Sequence, residues 1–146
     1  FLESNYDYVF ILEDDIYFVE HNMIKSKVDY IVSSCPNDAE IIYVSFCLED
    51  KSVIDKNKIF NRASRPLCRH AYILSRNGAK KIYEKSWPMS KFPGPGGDNI
   101  YGSLVKNKEI IGYTVNEEYI KIEQNRKKLG SKIGEYNSGS APPRYA

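Results

Sequence analysis

The sequence has few histidines and cysteines and no long apolar run. Its 146 residues include two histidines and three cysteines, and none of them has the close spacing of zinc ligands, so no zinc site is expected. The cysteines are odd in number and widely spaced. This pattern argues against a disulfide framework and favours a reducing compartment, so we expect a cytoplasmic or otherwise intracellular protein. We expect neither a membrane span nor a signal peptide.

Charge of one sign is not in excess either, because the net charge is only +2. Nucleic-acid-binding domains usually have a clearer basic excess, so nucleic acid is not an expected partner. The length predicts one domain over 1–146. The chain starts with Phe1 and not with methionine, so we expect a portion of a longer chain. Residues 124–146 are basic and then rich in glycine, serine and proline, which predicts a surface tail.

Apolar segments alternate between strand-like and helix-like patterns, which predicts an α/β sandwich. We expect strands at 8–12, 16–19, 41–46, 69–74, 110–115 and 119–122, and a short one near 59–60. We expect helices at 21–34 and 76–85 and a third that follows Asp98. Ser75 is a suitable N-cap for the second helix. The stretch 87–97 holds three prolines and three glycines, which predicts an irregular loop.

The most informative stretch is the apolar run 8–12, which ends directly in Glu13, Asp14 and Asp15. A short unbroken apolar run is typical of a strand buried on both faces of a parallel sheet, and ligands bind at the carboxyl ends of such strands. Adjacent carboxylates repel one another, and as hard oxygen ligands they suit Mg²⁺ or Mn²⁺. The triplet therefore predicts a divalent-metal site that anchors a phosphorylated ligand. A solvated turn is the alternative.

Two geometries are open for this metal site. Side chains alternate along an extended chain, so Glu13 and Asp15 can share one side while Asp14 points to the other. On an irregular turn, Asp14 and Asp15 can act together instead.

Asp98 is the second carboxylate of interest. Gly97 precedes it and allows a ligand to approach the backbone closely, and a helix N-terminus behind it favours anions. Such a carboxylate can take a proton from an acceptor hydroxyl, or it can serve only as an N-cap. Trp87 and Phe92 can form a substrate wall beside it or anchor the core. His70 is expected to be a structural or cleft-lining residue.

Three segments, taken in order, resemble glycosyltransferase family 25, the lipopolysaccharide and collagen sugar-transferase type. These are the strand 10–12 running into Glu-Asp-Asp, the stretch 70–82 with its Tyr-Ile-Leu-Ser and Gly-Ala, and Gly97-Asp98. The closing Gln124 and 131–133 also fit the family pattern. The resemblance implies a GT-A-like (Rossmann-like) fold, with a mostly parallel sheet sandwiched by helices. The acidic strand comes almost at once, so we expect the N-terminal nucleotide-binding strand to be missing from these residues.

The resemblance also implies a reaction. Such enzymes use a nucleotide-sugar donor, here expected to be a UDP-sugar, and a glycan, lipopolysaccharide or protein acceptor. Glu13, Asp14 and Asp15 then hold Mn²⁺ or Mg²⁺ and the diphosphate, Gly97 lies at the donor, and Asp98 is the catalytic base if the reaction inverts. The alternatives are a metal-dependent phosphohydrolase and a non-catalytic sugar-binding remnant of a transferase.

Overall fold

The structure, a computed structural model, describes residues 1–47, 49–88 and 97–124, and of Asp98 the backbone alone. Its seven strands are β1 Tyr8–Leu12, β2 Ile16–Phe18, β3 Ile41–Ser45, β4 Phe60–Arg62, β5 Ala71–Ser75, β6 Gly112–Val115 and β7 Ile122–Gln124. Its α-helices are α1 Ile24–Ser34, α2 Arg76–Lys85 and α3 Gly97–Lys106, and two short 3₁₀ turns cover His21–Met23 and Lys51–Val53. In this part of the chain, no helix is both long and apolar enough to cross a membrane.

The fold is mixed α/β, as expected, but the prediction of a mostly parallel sheet is wrong. The main sheet has the order β1-β5-β3-β6-β4, and β3 with β6 is its one parallel pair among the described residues. The second sheet is the antiparallel pair of β2 and β7. The error comes from β1, which lies at an edge of the described sheet and leaves Leu12 41% exposed. Its unbroken apolar run does not reflect burial on both faces.

Strand β3 has the buried, central position that the sequence suggested for β1. All five of its residues are buried, and the side chains of the first four alternate between two apolar clusters. Ile41 and Tyr43 face the cluster that includes residues of α2 and α3. Ile42 and Val44 face the cluster that includes residues of α1 and β7. The main sheet is therefore covered on both faces.

Local sequence predicted the start of α2 correctly. The Ser75 hydroxyl accepts a hydrogen bond from the backbone N–H of Gly78 at 3.1 Å, which confirms the predicted N-cap. A Cβ atom added to Gly78 would lie 2.1 Å from the carbonyl oxygen of Glu40. Glycine at this position thus allows α2 to approach the chain just before β3.

Other predictions differ in their bounds. The first helix begins with the 3₁₀ turn at His21–Met23, and the last predicted strand is shifted to Ile122–Gln124. Most of the predicted loop 87–97, including Phe92, lies outside the described residues, as do 131–133 and the tail from 125 onward.

The strand directions gather particular residues at each end of the sheet. The carboxyl ends of β1, β3 and β6 meet the amino ends of β5 and β4. We call this the Glu13 end, because Glu13 follows β1 there. The opposite end, where Glu40 precedes β3, is the Glu40 end. Carboxylate, imidazole and sulfur groups from distant parts of the sequence lie together at the Glu13 end.

Candidate functional site

The acidic turn lies between β1 and β2. The backbone N–H of Glu13 donates to the carbonyl of His70 at 2.8 Å, which extends the pairing of β1 with β5 by one residue. Asp14 and Asp15 then form the turn that leads into β2. The strand pairing therefore fixes Glu13, and the turn that follows carries the other two carboxylates.

Gln124 joins two of the three carboxylates. It lies opposite Ile16 in the pairing of β2 with β7. Its side-chain amide donates to Glu13 Oε2 at 3.2 Å and, at the longer distance of 3.5 Å, to Asp15 Oδ1. Asp14 is exposed. Of the two geometries that the sequence left open, this arrangement matches the one in which Glu13 and Asp15 share a side.

Buried His70 contacts the same Glu13 oxygen as Gln124 does. Its Nδ1 atom lies 3.3 Å from Glu13 Oε2, and its Nε2 atom lies 3.1 Å from Cys47 Sγ. Its side chain is therefore held between a carboxylate and a sulfur atom. This agrees with the expected structural or cleft-lining role and places the histidine directly behind Glu13.

Cys47 and Cys68 form a disulfide, with their Cα atoms 5.4 Å apart. The prediction of a chain without a disulfide is wrong at this pair. Cys47 follows β3 and Cys68 precedes β5, and these strands are antiparallel neighbours, so positions 21 residues apart meet at the Glu13 end. Disulfides are more typical of oxidising compartments, so this one does not support the expected reducing compartment.

Among the described residues, the one basic side chain recorded against the acidic turn is His70, which lies beside Glu13. In the described segments, no lysine or arginine forms an ion pair with Glu13, Asp14 or Asp15. The three carboxylates do not form a closed cage either, because the metal-ligand groups found in those segments do not include them. Mg²⁺ and Mn²⁺ sites often use one or two carboxylates together with water and phosphate oxygens. Metal binding by the turn stays a prediction.

Gly97 begins α3 and packs against Arg69. A Cβ atom at Gly97 would lie 2.1 Å from Nη2 of Arg69, so the guanidinium fills the space that a side chain would need. The same guanidinium lies 4.6 Å from the centre of the Tyr101 ring and donates to the Tyr72 hydroxyl at 3.4 Å. Burial raises the pKa of Tyr72 to about 12, and neighbouring Tyr101 adds to the effect. This packing explains the glycine, and a ligand contact at Gly97 stays a prediction.

Asp98 is the second residue of α3, and its side chain lies outside the described residues. Because the helix begins at Gly97, Asp98 belongs to its first turn. The neighbouring residues Arg69 and His70 connect this region to the acidic turn, since Arg69 contacts Gly97 and His70 contacts Glu13. The roles of Asp98 and of the acidic triplet stay predictions.

Sequence reasoning missed several contacts of this site. Gln124 was noticed only as part of a family pattern, and its contact with Glu13 spans 111 positions in the sequence. The spacing of Cys47 and Cys68 in the sequence indicated neither a disulfide nor a metal site. His70 offered one signal, namely that it stands directly before an apolar, strand-like run. The segment's pairing with β1 could not be read from its residues.

A family model described as glycosyltransferase family 25 (LPS biosynthesis protein) matches residues 1–93. The matched span is more than half of the 146 residues and includes the acidic turn, the disulfide, His70 and α2. It ends before Gly97, Asp98 and Gln124. No match was found among curated proteins.

Proposed function

The chain belongs to glycosyltransferase family 25, and we propose that it transfers a sugar from a UDP-sugar to a hydroxyl group in a metal-dependent reaction. Family membership implies glycosyltransferase activity, and hence a sugar donor and an acceptor. We propose a glycan, a lipopolysaccharide or a protein as the acceptor. The acidic turn carries the proposal, because its carboxylates lack a lysine or arginine partner in the described segments and two of them converge on Gln124.

We assign Glu13, Asp14 and Asp15 to a site for Mn²⁺ or Mg²⁺ and the donor diphosphate. Glu13 already accepts from Gln124 and contacts His70 through one oxygen, which orients its carboxylate. Exposed Asp14 and half-buried Asp15 offer oxygens to a cation that arrives with the nucleotide. When bound, the metal neutralises the charge that develops on the leaving nucleoside diphosphate.

The arrangement of strand ends supports a GT-A-like fold as part of this proposal. In α/β sheets, ligands bind beyond the carboxyl ends of strands. The carboxyl ends of β1, β3 and β6 all lie at the Glu13 end. The acidic turn is thus at the edge where such folds hold their ligands.

We propose Asp98 as the base that takes the proton from the acceptor hydroxyl if transfer inverts the anomeric centre. Its place in the first turn of α3 favours the ionised carboxylate, since helix N-termini stabilise negative charge. An ionised carboxylate is the form that can accept a proton. The contact of Arg69 with Gly97 connects this turn of α3 to the segment that carries His70, which in turn contacts Glu13.

Thermal unfolding with UDP, with and without Mn²⁺, tests the metal and donor site. We expect UDP and Mn²⁺ together to stabilise the chain, by about 2.7 kcal/mol when the ligand is at roughly 100 times its Kd. The Asp14→Ala/Asp15→Ala variant should lose this gain. The exposed pair Glu117→Ala/Glu118→Ala removes the same charge elsewhere and should keep it. Asp98→Asn should also keep it, because a base that acts on the acceptor is not needed for UDP binding.

The possible outcomes separate the alternatives. A UDP shift that needs no metal, or one that survives in Asp14→Ala/Asp15→Ala, would contradict the proposed site. Release of phosphate from a generic phosphomonoester would favour the phosphohydrolase. Metal-dependent UDP binding without transfer to any acceptor would favour a sugar-binding remnant.

A further inference from the structure

Cys47, Cys68 and His70 form a compact cluster of potential metal ligands. The two sulfur atoms and a ring nitrogen all lie within 4.8 Å of one another. The cluster is assembled from the end of β3 and the segment before β5, so no single stretch of sequence indicates it. Its ligand atoms are softer than the carboxylate oxygens of the acidic turn, so it should select a different class of metal.

We propose that Cys47, Cys68 and His70 bind one zinc ion when their disulfide is reduced. Two thiolates and one imidazole are ligands that zinc prefers, and a fourth, tetrahedral position remains for water. In such a tetrahedral site each sulfur lies about 2.3 Å from the metal, so the two sulfurs are about 3.8 Å apart. Side-chain rotation can provide this separation, because the Cα atoms are 5.4 Å apart.

The orientation of His70 supports this assignment. Its Nε2 atom faces Cys47 Sγ at 3.1 Å, while its Nδ1 atom faces Glu13 Oε2 at 3.3 Å. Histidines that bind zinc usually donate the other ring N–H to a carboxylate or a carbonyl group, which fixes the tautomer and the ring. His70 already has this arrangement, with Glu13 as the second partner. The Cys47 sulfur and the Glu13 carboxylate thus lie at the two ring nitrogens that such a site uses.

The cluster is also accessible. Cys47 is exposed and Cys68 is partly exposed, while His70 is buried. A dithiol reductant can attack the disulfide by thiol–disulfide exchange. The protein S–S bond takes up two electrons and two protons and becomes two thiols, and the reductant becomes a disulfide. Zinc binding then releases the two thiol protons, so the disulfide and the zinc site exclude each other.

This inference goes beyond the proposed transferase activity and does not depend on it. The cluster of Cys47, Cys68 and His70 is a different site from the acidic turn, and the two are joined by the contact between His70 and Glu13. The test therefore measures metal uptake and not sugar transfer.

Titration with Co²⁺, a spectroscopic substitute for zinc, tests the proposal on the whole chain. After reduction by a dithiol and its removal under anaerobic conditions, we expect one Co²⁺ per chain with thiolate-to-metal charge-transfer absorption. One equivalent of Zn²⁺ should abolish this absorption. The oxidised chain should show none. Cys68→Ser should weaken the absorption strongly, whereas Cys35→Ser should leave it unchanged, because Cys35 ends α1 and lies outside the cluster.

Thiol counting confirms the reduction, and far-ultraviolet circular dichroism reports whether each form is folded. A reduced chain that shows no thiolate–cobalt absorption, whether folded or not, would overturn the proposal. So would absorption of equal strength in Cys68→Ser or in the oxidised chain. If Cys68→Ser does not fold, the comparison of oxidised with reduced wild-type chain still decides the question.

Discussion

Glu40 and Glu13 are carboxylates at opposite ends of the same sheet, and their surroundings differ. Glu40 is 5% exposed, and its carboxylate lies 2.6 Å from the Lys81 ammonium and accepts from the Ile111 backbone at 2.8 Å. Glu13 is half-buried. Among the described residues, its carboxylate has side-chain contacts only with the uncharged amide of Gln124 and the ring of His70. A carboxylate paired with a cation is internally satisfied, whereas one without a cation can still recruit one from solution.

Further contacts from described residues surround Glu40. Gly78 lets α2 contact the backbone of Glu40, and Asn77 donates a further hydrogen bond to the Glu40 carboxylate. Nearby, Asp38 accepts from both Arg62 and Tyr113. The Glu13 end instead leaves Asp14 exposed. The Glu40 carboxylate is thus enclosed by contacts within the protein, whereas the acidic turn at the Glu13 end keeps a carboxylate exposed to solvent.

Gly78→Ala should disturb the Glu40 end most. The new methyl group would lie 2.1 Å from a backbone oxygen, so α2 or the chain before β3 must move. We expect the free energy of unfolding to fall by about 3 kcal/mol, the upper part of the usual range for overpacking. Urea denaturation measures this change. Lys80→Ala, at an exposed position of the same helix, is the control and should stay within about 0.5 kcal/mol of wild type.

Substituting the two glutamates in parallel tests the comparison directly. Glu40→Gln removes the charge that faces Lys81 and should lower the free energy of unfolding by about 2 kcal/mol, as expected for a hydrogen bond to a charged group. Glu13→Gln should change it by no more than about 0.5 kcal/mol. Urea denaturation of both variants gives the difference. Equal losses would show that Glu13 is as structural as Glu40.

Asp38→Asn should lower the free energy of unfolding by less than Glu40→Gln does, and the effect should depend on pH. Hydrogen bonds from Tyr113 and Arg62 lower the pKa of Asp38 below its ordinary value of 3.8. The folded state therefore favours the ionised carboxylate. Its stabilising contribution is complete above pH 3.8 and is lost as the pH falls through the lowered pKa.

Chemical denaturation along a pH series checks this prediction. The wild-type chain should be more stable than Asp38→Asn at neutral pH, and the difference should shrink below pH 3.8. Asp29→Asn, which removes an exposed carboxylate of α1, is the control. A difference between wild type and Asp38→Asn that is constant at every pH would contradict the sign derived above.

Local features of the fold could be predicted from the sequence, and long-range pairings could not. The Ser75 cap and α2 depend on residues a few positions apart, so their pattern was sufficient. The apolar runs of β1 and β3 look alike, yet only β3 is fully buried. The difference comes from strand neighbours, which a single run does not specify.

In the candidate site too, local features could be predicted from the sequence and long-range pairings could not. Alternation along an extended chain offered Glu13 with Asp15 as one of two open geometries, and in the structure Gln124 contacts both of these residues. The pairing of Cys47 with Cys68 depends on the order of strands in the sheet. Residue spacing alone could not predict it.

The small sheet of β2 and β7 has a kinetic consequence for the acidic turn. Its strands lie more than 100 positions apart in the sequence, and buried Ser45 secures β7 by donating to the carbonyl of Ile122 at 3.0 Å. Loop closure over such a distance is entropically costly, and contacts of this kind tend to form slowly. We therefore expect the main sheet to form first and Gln124 to reach Glu13 late, so that the acidic turn becomes native only near the end of folding.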